Sequence, residues 1–269
     1  MTPNSTGMRT ALTIAGSDSG AGAGIQADLK TFAAHGVYGT SAITALTAQN
    51  TVGVSAIHVA PDDIVTAQIE AVAGDIGCDA VKTGMLANST IVEAVAAAIE
   101  SMELPNLVVD PVMVAKSGDH LLDDEAVHAL RWTLLRLARV VTPNIPEAEV
   151  LAKMTVRTRD DMREAARRIA MLKPGAVVIK GGHLPGPEIV DVLLEHGEFT
   201  EFTGPRIEGR HTHGTGCTFA AAIAAHLAKG VALKEAVRLA KEYVAGAMRP
   251  GIPLGKGHRP LDHFWRGIP

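Results

Sequence analysis

Short apolar runs that end in small or polar residues alternate along this chain with longer amphipathic segments, and nothing else in the sequence restricts the fold as strongly. The runs lie at 9–15, 38–47, 54–59, 80–83, 107–109, 140–142 and 176–179. Between them, apolar residues recur at helical spacing, as in Ile25, Leu29, Phe32 and Ala33, with Gly36 placed to stop the helix. Pro61 followed by Asp62 and Asp63 opens a second helix, Asn88 caps a third and Asp123 a fourth. Further helices are predicted over 146–153, 159–172, 215–229 and 233–248, with a hairpin turning at His196-Gly197. Strand–helix alternation of this kind predicts a mostly parallel α/β sheet covered on both faces, a three-layer α/β/α arrangement. The sequence shows no linker or repeat, so residues 1–269 read as one domain, with 1–8 expected to be disordered and 249–269 expected to lie as a surface tail.

Composition excludes several function classes. A net charge of -4 gives no surface for a polyanion, and aromatics at 3% leave little for base stacking, so nucleic acid is not an expected partner. Two cysteines give no disulfide framework. There is no apolar run of membrane-spanning length and no secretory leader at the polar N-terminus, so the expected location is cytoplasmic, away from membranes.

In a sheet of this type ligands bind beyond the carboxyl ends of the strands. The residues that fall there are Gly16-Ser17-Asp18, Gln49-Asn50, Gly84-Met85, Asp110-Pro111, Asn144 and Lys180-Gly181-Gly182. The glycine-rich stretch 16–24 permits close approach to backbone, although its spacing fails the dinucleotide fingerprint and no Walker lysine follows; a plain turn explains it as well. Gly214-Thr215-Gly216-Cys217 opens a long apolar helix, where unpaired amides and the dipole can hold a phosphoryl group. The same dipole is expected to lower the Cys217 thiol and let it take a proton from a substrate hydroxyl; a small buried residue at a helix start is the plain alternative. Asn144 with Pro146 is a helix start in its own right, while Glu147 and Asp110 could hold magnesium through water. Gln49 can pair with an aminopyrimidine edge, or simply sit in a turn. His211 and His213 lack partner ligands nearby and read as a solvated loop rather than a metal site. Cys78 reads as core.

Taken together, "ALTIAGSDSGAGAGIQADLKTFAAHGVYG", "ITALTAQNT", "KTGML", "VVDPVMVAKSGDHLL", "TPNIPEAEVL", "IKGGH" and "HTHGTGCTFAAAIAA" resemble the hydroxymethylpyrimidine/phosphomethylpyrimidine kinases, a ribokinase-like family. The resemblance implies ATP-dependent, magnesium-dependent phosphorylation of 4-amino-5-hydroxymethyl-2-methylpyrimidine and of its monophosphate in thiamine biosynthesis. It implies that Gly16, Asp18, Gln49, Met85 and Val112 bind the substrate. Gly214, Thr215 and Gly216 would form the anion hole and Cys217 the catalytic base. Lys180, Asn144 and Lys241 would serve the nucleotide, and Asp110 and Glu147 the metal. Some family members have Glu in place of Gln49, and many ribokinase-like sugar kinases have Asp in place of Cys217. A homodimer is the assembly implied. The rival readings are a pyridoxal kinase of the same superfamily, a non-catalytic pyrimidine or nucleotide sensor, and a nicotinamide dehydrogenase, the last opposed by the glycine spacing.

Overall fold

The computed structural model describes residues 7–113, 123–207, 209, 213–249 and 251–267. Its centre is a nine-stranded sheet in the order β3-β2-β1-β4-β5-β6-β7-β8-β9. The strands are β1 (Thr10–Asp18), β2 (Tyr38–Gln49), β3 (Val54–Val59), β4 (Ala80–Thr83), β5 (Leu107–Val109), β6 (Val140–Val141), β7 (Ala176–Ile179), β8 (Glu188–Glu195) and β9 (Glu198–Pro205). β1, β2 and β4 to β7 pair in parallel, whereas β3, β8 and β9 attach antiparallel at the two edges.

The short central strands are apolar throughout because both of their faces are covered. Alternation of side chains sends Leu107, Val109, Val141, Val177 and Ile179 into one core. It sends Val108, Val140, Ala176 and Val178 into the other. The first core is closed by α2 (Asp62–Asp75), α3 (Ser89–Ser101), α4 (Asp124–Ala129), α5 (Ile145–Ala152) and α6 (Arg159–Ala170). After α4 the chain continues as a π turn over Leu130–Leu134 and a 3-10 turn over Leu135–Leu137. The second core is closed by α1 (Gly24–Ala34), α7 (Thr215–Ala228) and α8 (Leu233–Met248). The three-layer α/β/α architecture is therefore the one expected.

Local signals act as read. The Asn88 side chain accepts from the Ile91 amide at the start of α3, and Asn144 and Glu147 form a reciprocal capping box at the start of α5. The C-terminal stretch is a correction. Residues 253–256 are exposed, but Leu261 and His263 are 0% and 2% exposed, so the part around them is packed and not surface tail. His263 is hydrogen-bonded to Thr218 Oγ1 at 3.0 Å, and its carbonyl accepts from the Tyr243 hydroxyl at 2.6 Å. Upstream, the His258 amide donates to the Thr51 carbonyl at 2.8 Å, tying this segment to the β2–β3 turn.

Candidate active site

The carboxyl ends of β1, β2, β4, β5, β6 and β7 and the amino end of α7 open onto one cavity of about 1250 Å³. All fourteen residues singled out from the sequence line it: Gly16, Asp18, Gln49, Met85, Asp110, Val112, Asn144, Glu147, Lys180, Gly214, Thr215, Gly216, Cys217 and Lys241.

At one end, the β1–β2 register slips: Ala15 pairs with Ile43 but Ser17 with Leu46, so two residues of β2, Thr44 and Ala45, stand opposite Gly16 alone. A side chain there would sit 3.5 Å from the Met85 sulfur, so glycine leaves that wall of the cavity open. Gln49 is held by its backbone: its amide donates to Ser19 Oγ at 2.8 Å, and the Ser19 hydroxyl donates to its carbonyl at 2.7 Å. Its side-chain oxygen accepts from Thr47 Oγ1 at 3.0 Å.

At the other end stands α7. Gly214 has φ +78°, a left-handed conformation natural to glycine, and a Cβ there would run into the Gly22 carbonyl. A Cβ at Gly216 would stand 3.3 Å from Lys180 Nζ and 3.6 Å from Asp110 Oδ2, so the glycine brings the helix backbone close to that ion pair. Lys180 Nζ donates to Asp110 Oδ1 at 2.9 Å. Burial alone would pull the Lys180 ammonium down, but Asp110 and Glu147 outweigh it and hold the group above its ordinary value. Burial, with Asp110 nearby, pushes the Glu147 carboxyl up to about 7 against the opposing pull of Lys180. One Glu147 oxygen and the Asn144 side-chain oxygen are committed to the capping box, which fixes both residues at the cavity wall. Lys241 Nζ donates to Asp191 Oδ2 at 2.7 Å and to the Ile189 carbonyl at 3.0 Å.

Two expectations are overturned. The Cys217 thiol is not lowered: burial pushes it up to about 11, with Asp28 and Asp110 adding to the rise, against the pull of Lys82 and of the Gly24 amide. Desolvation outweighs the helix dipole here. His213 is not in a solvated loop either: it is 8% exposed, and its Nε2 donates to Asp18 Oδ2 at 3.0 Å.

Sequence reasoning passed over Lys82, whose side chain lies within the fully buried strand β4 yet lines the cavity. Its signal was visible, since a charge inside a four-residue apolar strand demands a partner. Also missed is an apolar wall of Phe219, Val244, Ala245, Met248 and Trp265. Among the described residues no helix is long and apolar enough to cross a membrane, and no group of three or more His, Cys, Asp or Glu is arranged to hold a metal.

Comparisons with known proteins agree with this geometry. Residues 18–262 match the model of the phosphomethylpyrimidine kinase family. The hydroxymethylpyrimidine/phosphomethylpyrimidine kinase of Bacillus subtilis is 48% identical, with 94% of each chain covered. The thiamine biosynthesis bifunctional protein ThiED of Geobacter sulfurreducens is 52% identical over 94% of this chain, which spans only 52% of that longer protein. Among solved structures, the ADP complex of Bacillus subtilis pyridoxal kinase superposes with a TM-score of 0.89 at 43% identity, covering 95% of this chain and 97% of that one. The phosphomethylpyrimidine kinase of Clostridium difficile superposes with a TM-score of 0.81 at 45% identity, covering 90% and 100%. With its family match running through nearly every strand end that builds the cavity, the chain belongs to the phosphomethylpyrimidine kinase family.

Proposed function

We propose that the protein transfers the γ-phosphoryl group of ATP to the 5-hydroxymethyl oxygen of 4-amino-5-hydroxymethyl-2-methylpyrimidine, then to the phosphate of the product, within thiamine biosynthesis in the cytoplasm. The observation that carries this reading is that Gln49 and the amino end of α7 face one cavity. A ring paired with the Gln49 amide therefore lies in the same space as a phosphate held at Gly214 to Gly216. Gly16, Met85 and Val112 shape the ring end. In the first transfer the hydroxyl oxygen bonds to the γ-phosphorus, the bond to the β-phosphate oxygen breaks, and the hydroxyl proton passes to Cys217 Sγ in its thiolate form, which the raised pKa makes a small fraction at neutral pH. The α7 amides stabilise charge on the group in flight. Lys180, Asn144 and Lys241 bind the nucleotide phosphates, and the apolar wall ending at Trp265 accepts its base.

Asp110 and Glu147 fit a magnesium ion. They are two buried carboxylates beside one ammonium, and burial first, with the Asp110 charge adding to it, pushes Glu147 up to about 7. Magnesium is commonly held by one or two carboxylates together with phosphate oxygens and water, and when bound it neutralises phosphate charge.

The likeness to pyridoxal kinases supports one second reading, a vitamin B6 kinase. ADP release should be measured with purified protein, ATP and magnesium, offering hydroxymethylpyrimidine, its monophosphate and pyridoxal in turn. The two pyrimidines are expected to be turned over with higher kcat/KM than pyridoxal. A higher value for pyridoxal would reverse the assignment, and binding without ADP release would make the protein a sensor.

The homodimer is the assembly that fits the β3 edge. Every residue of Ser55–Val59 is exposed, and Leu46, Val52, Ile57 and Ile64 add apolar surface around them. A strand without burial at a sheet edge invites pairing with another chain. Ile57→Glu should convert a species of twice the chain mass to one chain mass in sedimentation. A wild-type protein sedimenting as a single chain would end this reading.

A further inference from the structure

The histidine beside the phosphate-facing helix end is unused in the mechanism above, yet it makes the link between two glycine loops that lie almost 200 residues apart in sequence. Asp18, at the end of β1, is 2% exposed, and its carboxylate is occupied by this chain. Oδ1 accepts from the Gly20 amide at 2.8 Å. Oδ2 accepts from the Gly22 amide at 3.0 Å, the Ala23 amide at 2.8 Å and His213 Nε2 at 3.0 Å. Burial would raise this carboxyl, but the hydrogen bonds from His213, Ala23 and Gly20 outweigh it and hold it low. The His213 ring stands so close to Gly22 that no side chain fits at position 22, and the Gly22 carbonyl in turn leaves no room for one at Gly214.

The first loop is also tied to the ring end of the cavity through the reciprocal Ser19–Gln49 bonds. From the other side, the His213 amide donates to the Arg259 carbonyl at 3.3 Å, and His213 pairs with Pro260 as an isolated parallel bridge. One continuous set of contacts thus runs from Gln49 through Ser19, Asp18 and His213 to Gly214.

We propose that His213 is a positioning residue that couples the two glycine loops, so that the phosphate-facing end of α7 takes its shape only while the 16–24 loop holds Gln49 in place. Asp18 then acts through the loop and not as a direct ligand of the pyrimidine. The inference rests on the kinase reading for its kinetic consequence, but the coupling itself does not need turnover to be seen.

The test is a double-mutant cycle on Asp18→Asn and His213→Ala, with His213→Gln as the conservative variant, because a glutamine amide can reach where Nε2 donates. A displacement on the order of 1 Å can lower turnover about 100-fold. Each single variant should therefore lower kcat roughly 10- to 100-fold, with smaller changes in KM for the pyrimidine. The double variant should be no worse than the poorer single, and His213→Gln should recover most of the loss. Amide hydrogen exchange read on the same proteins gives the second arm. His213→Ala should speed exchange at Gly20, Gly22 and Ala23, and Asp18→Asn should speed it at Gly216 to Thr218, since coupling is reciprocal. Additive kinetic effects carried by the pyrimidine KM would restore Asp18 as a substrate ligand and overturn the proposal. So would exchange changes confined to the substituted loop. A wild-type protein that releases no ADP would remove the kinase reading and leave the exchange arm to decide the coupling.

Discussion

Cys217→Ala should lower turnover of hydroxymethylpyrimidine by about 10²- to 10⁴-fold, the usual contribution of a general base, while lowering turnover of the monophosphate far less. The asymmetry follows from the two acceptors. The first is a primary alcohol whose proton must leave as its oxygen bonds to phosphorus. The second is a phosphate monoester, with a second pKa of about 6, whose oxygens are already ionised at neutral pH and need no base. Cys217 lies on the cavity wall beside Gly214 to Gly216, so under the proposed reading both transfers pass it, but only one has a proton to give. Its protonation adds a second signature. Burial pushes the thiol up to about 11 against the pull of Lys82 and the Gly24 amide, with Asp28 and Asp110 on the other side. Lys180, which also feels the Cys217 charge, faces it from the end of β7. A raised pKa means the thiol is protonated below that value, and the thiolate fraction grows about tenfold per pH unit on the way up. The first phosphorylation should accordingly accelerate from pH 7 toward pH 9 in the wild type and be flat in Cys217→Ala. Steady-state ADP release with each pyrimidine, across that range, measures both signatures. Near-normal turnover of the alcohol by the alanine variant would take Cys217 out of proton transfer, and equal losses on the two substrates would make its role positional.

The strands and caps were legible because their causes are local. Leu107, Val108 and Val109 are apolar in succession because alternate side chains enter different cores, and no polar face is left to interrupt the run. Asn88 and Asn144 satisfy amides within three residues of themselves. The rim of the site was legible for a related reason, since the end of each parallel strand is marked by the abrupt change from apolar to small or polar residues. What escaped reading depends on distance in sequence. His213 looks solvated until its partner at Asp18 is seen, 195 residues away. The thiol of Cys217 was judged by the helix it begins, whereas its environment is set mainly by what α1 and β4 pack around it. Leu261 and His263 lie in a Pro- and Gly-rich stretch with no periodicity, and only the α7 and α8 side chains beneath them explain their burial. The edge strand β3 has alternation too weak to say which face is covered, and Ser55–Val59 are in fact exposed throughout.

Removing either member of the Lys82–Asp28 pair should cost about 3–5 kcal/mol of folding stability, the largest effect expected from any charge substitution in this chain. Both side chains are fully buried, with Lys82 Nζ 2.8 Å from Asp28 Oδ2. The same oxygen accepts from Thr13 Oγ1 at 2.6 Å, while among the described residues Asp28 Oδ1 is buried without a hydrogen-bond partner. Such a pair is poor value for stability alone, because desolvating two ions offsets much of their attraction. Losing one partner is worse, because the other charge then stays buried with nothing to balance it. Lys82→Met or Asp28→Asn alone should therefore lower the denaturant midpoint sharply. The double variant Lys82→Met/Asp28→Asn, which leaves neither ion of the pair, should recover much of the loss. Asp28 lies on α1 behind the lysine, and Lys82 alone of the two lines the cavity. Its ammonium, held above its ordinary value by Asp28, Cys217 and Asp110 against the effect of burial, is thus a fixed positive charge on the wall of the cavity. If that is why the pair persists, the double variant regains stability without regaining turnover. Single variants within about 1 kcal/mol of wild type in urea unfolding would show instead that the pair relaxes or exchanges with water, and the electrostatic argument would lose its basis.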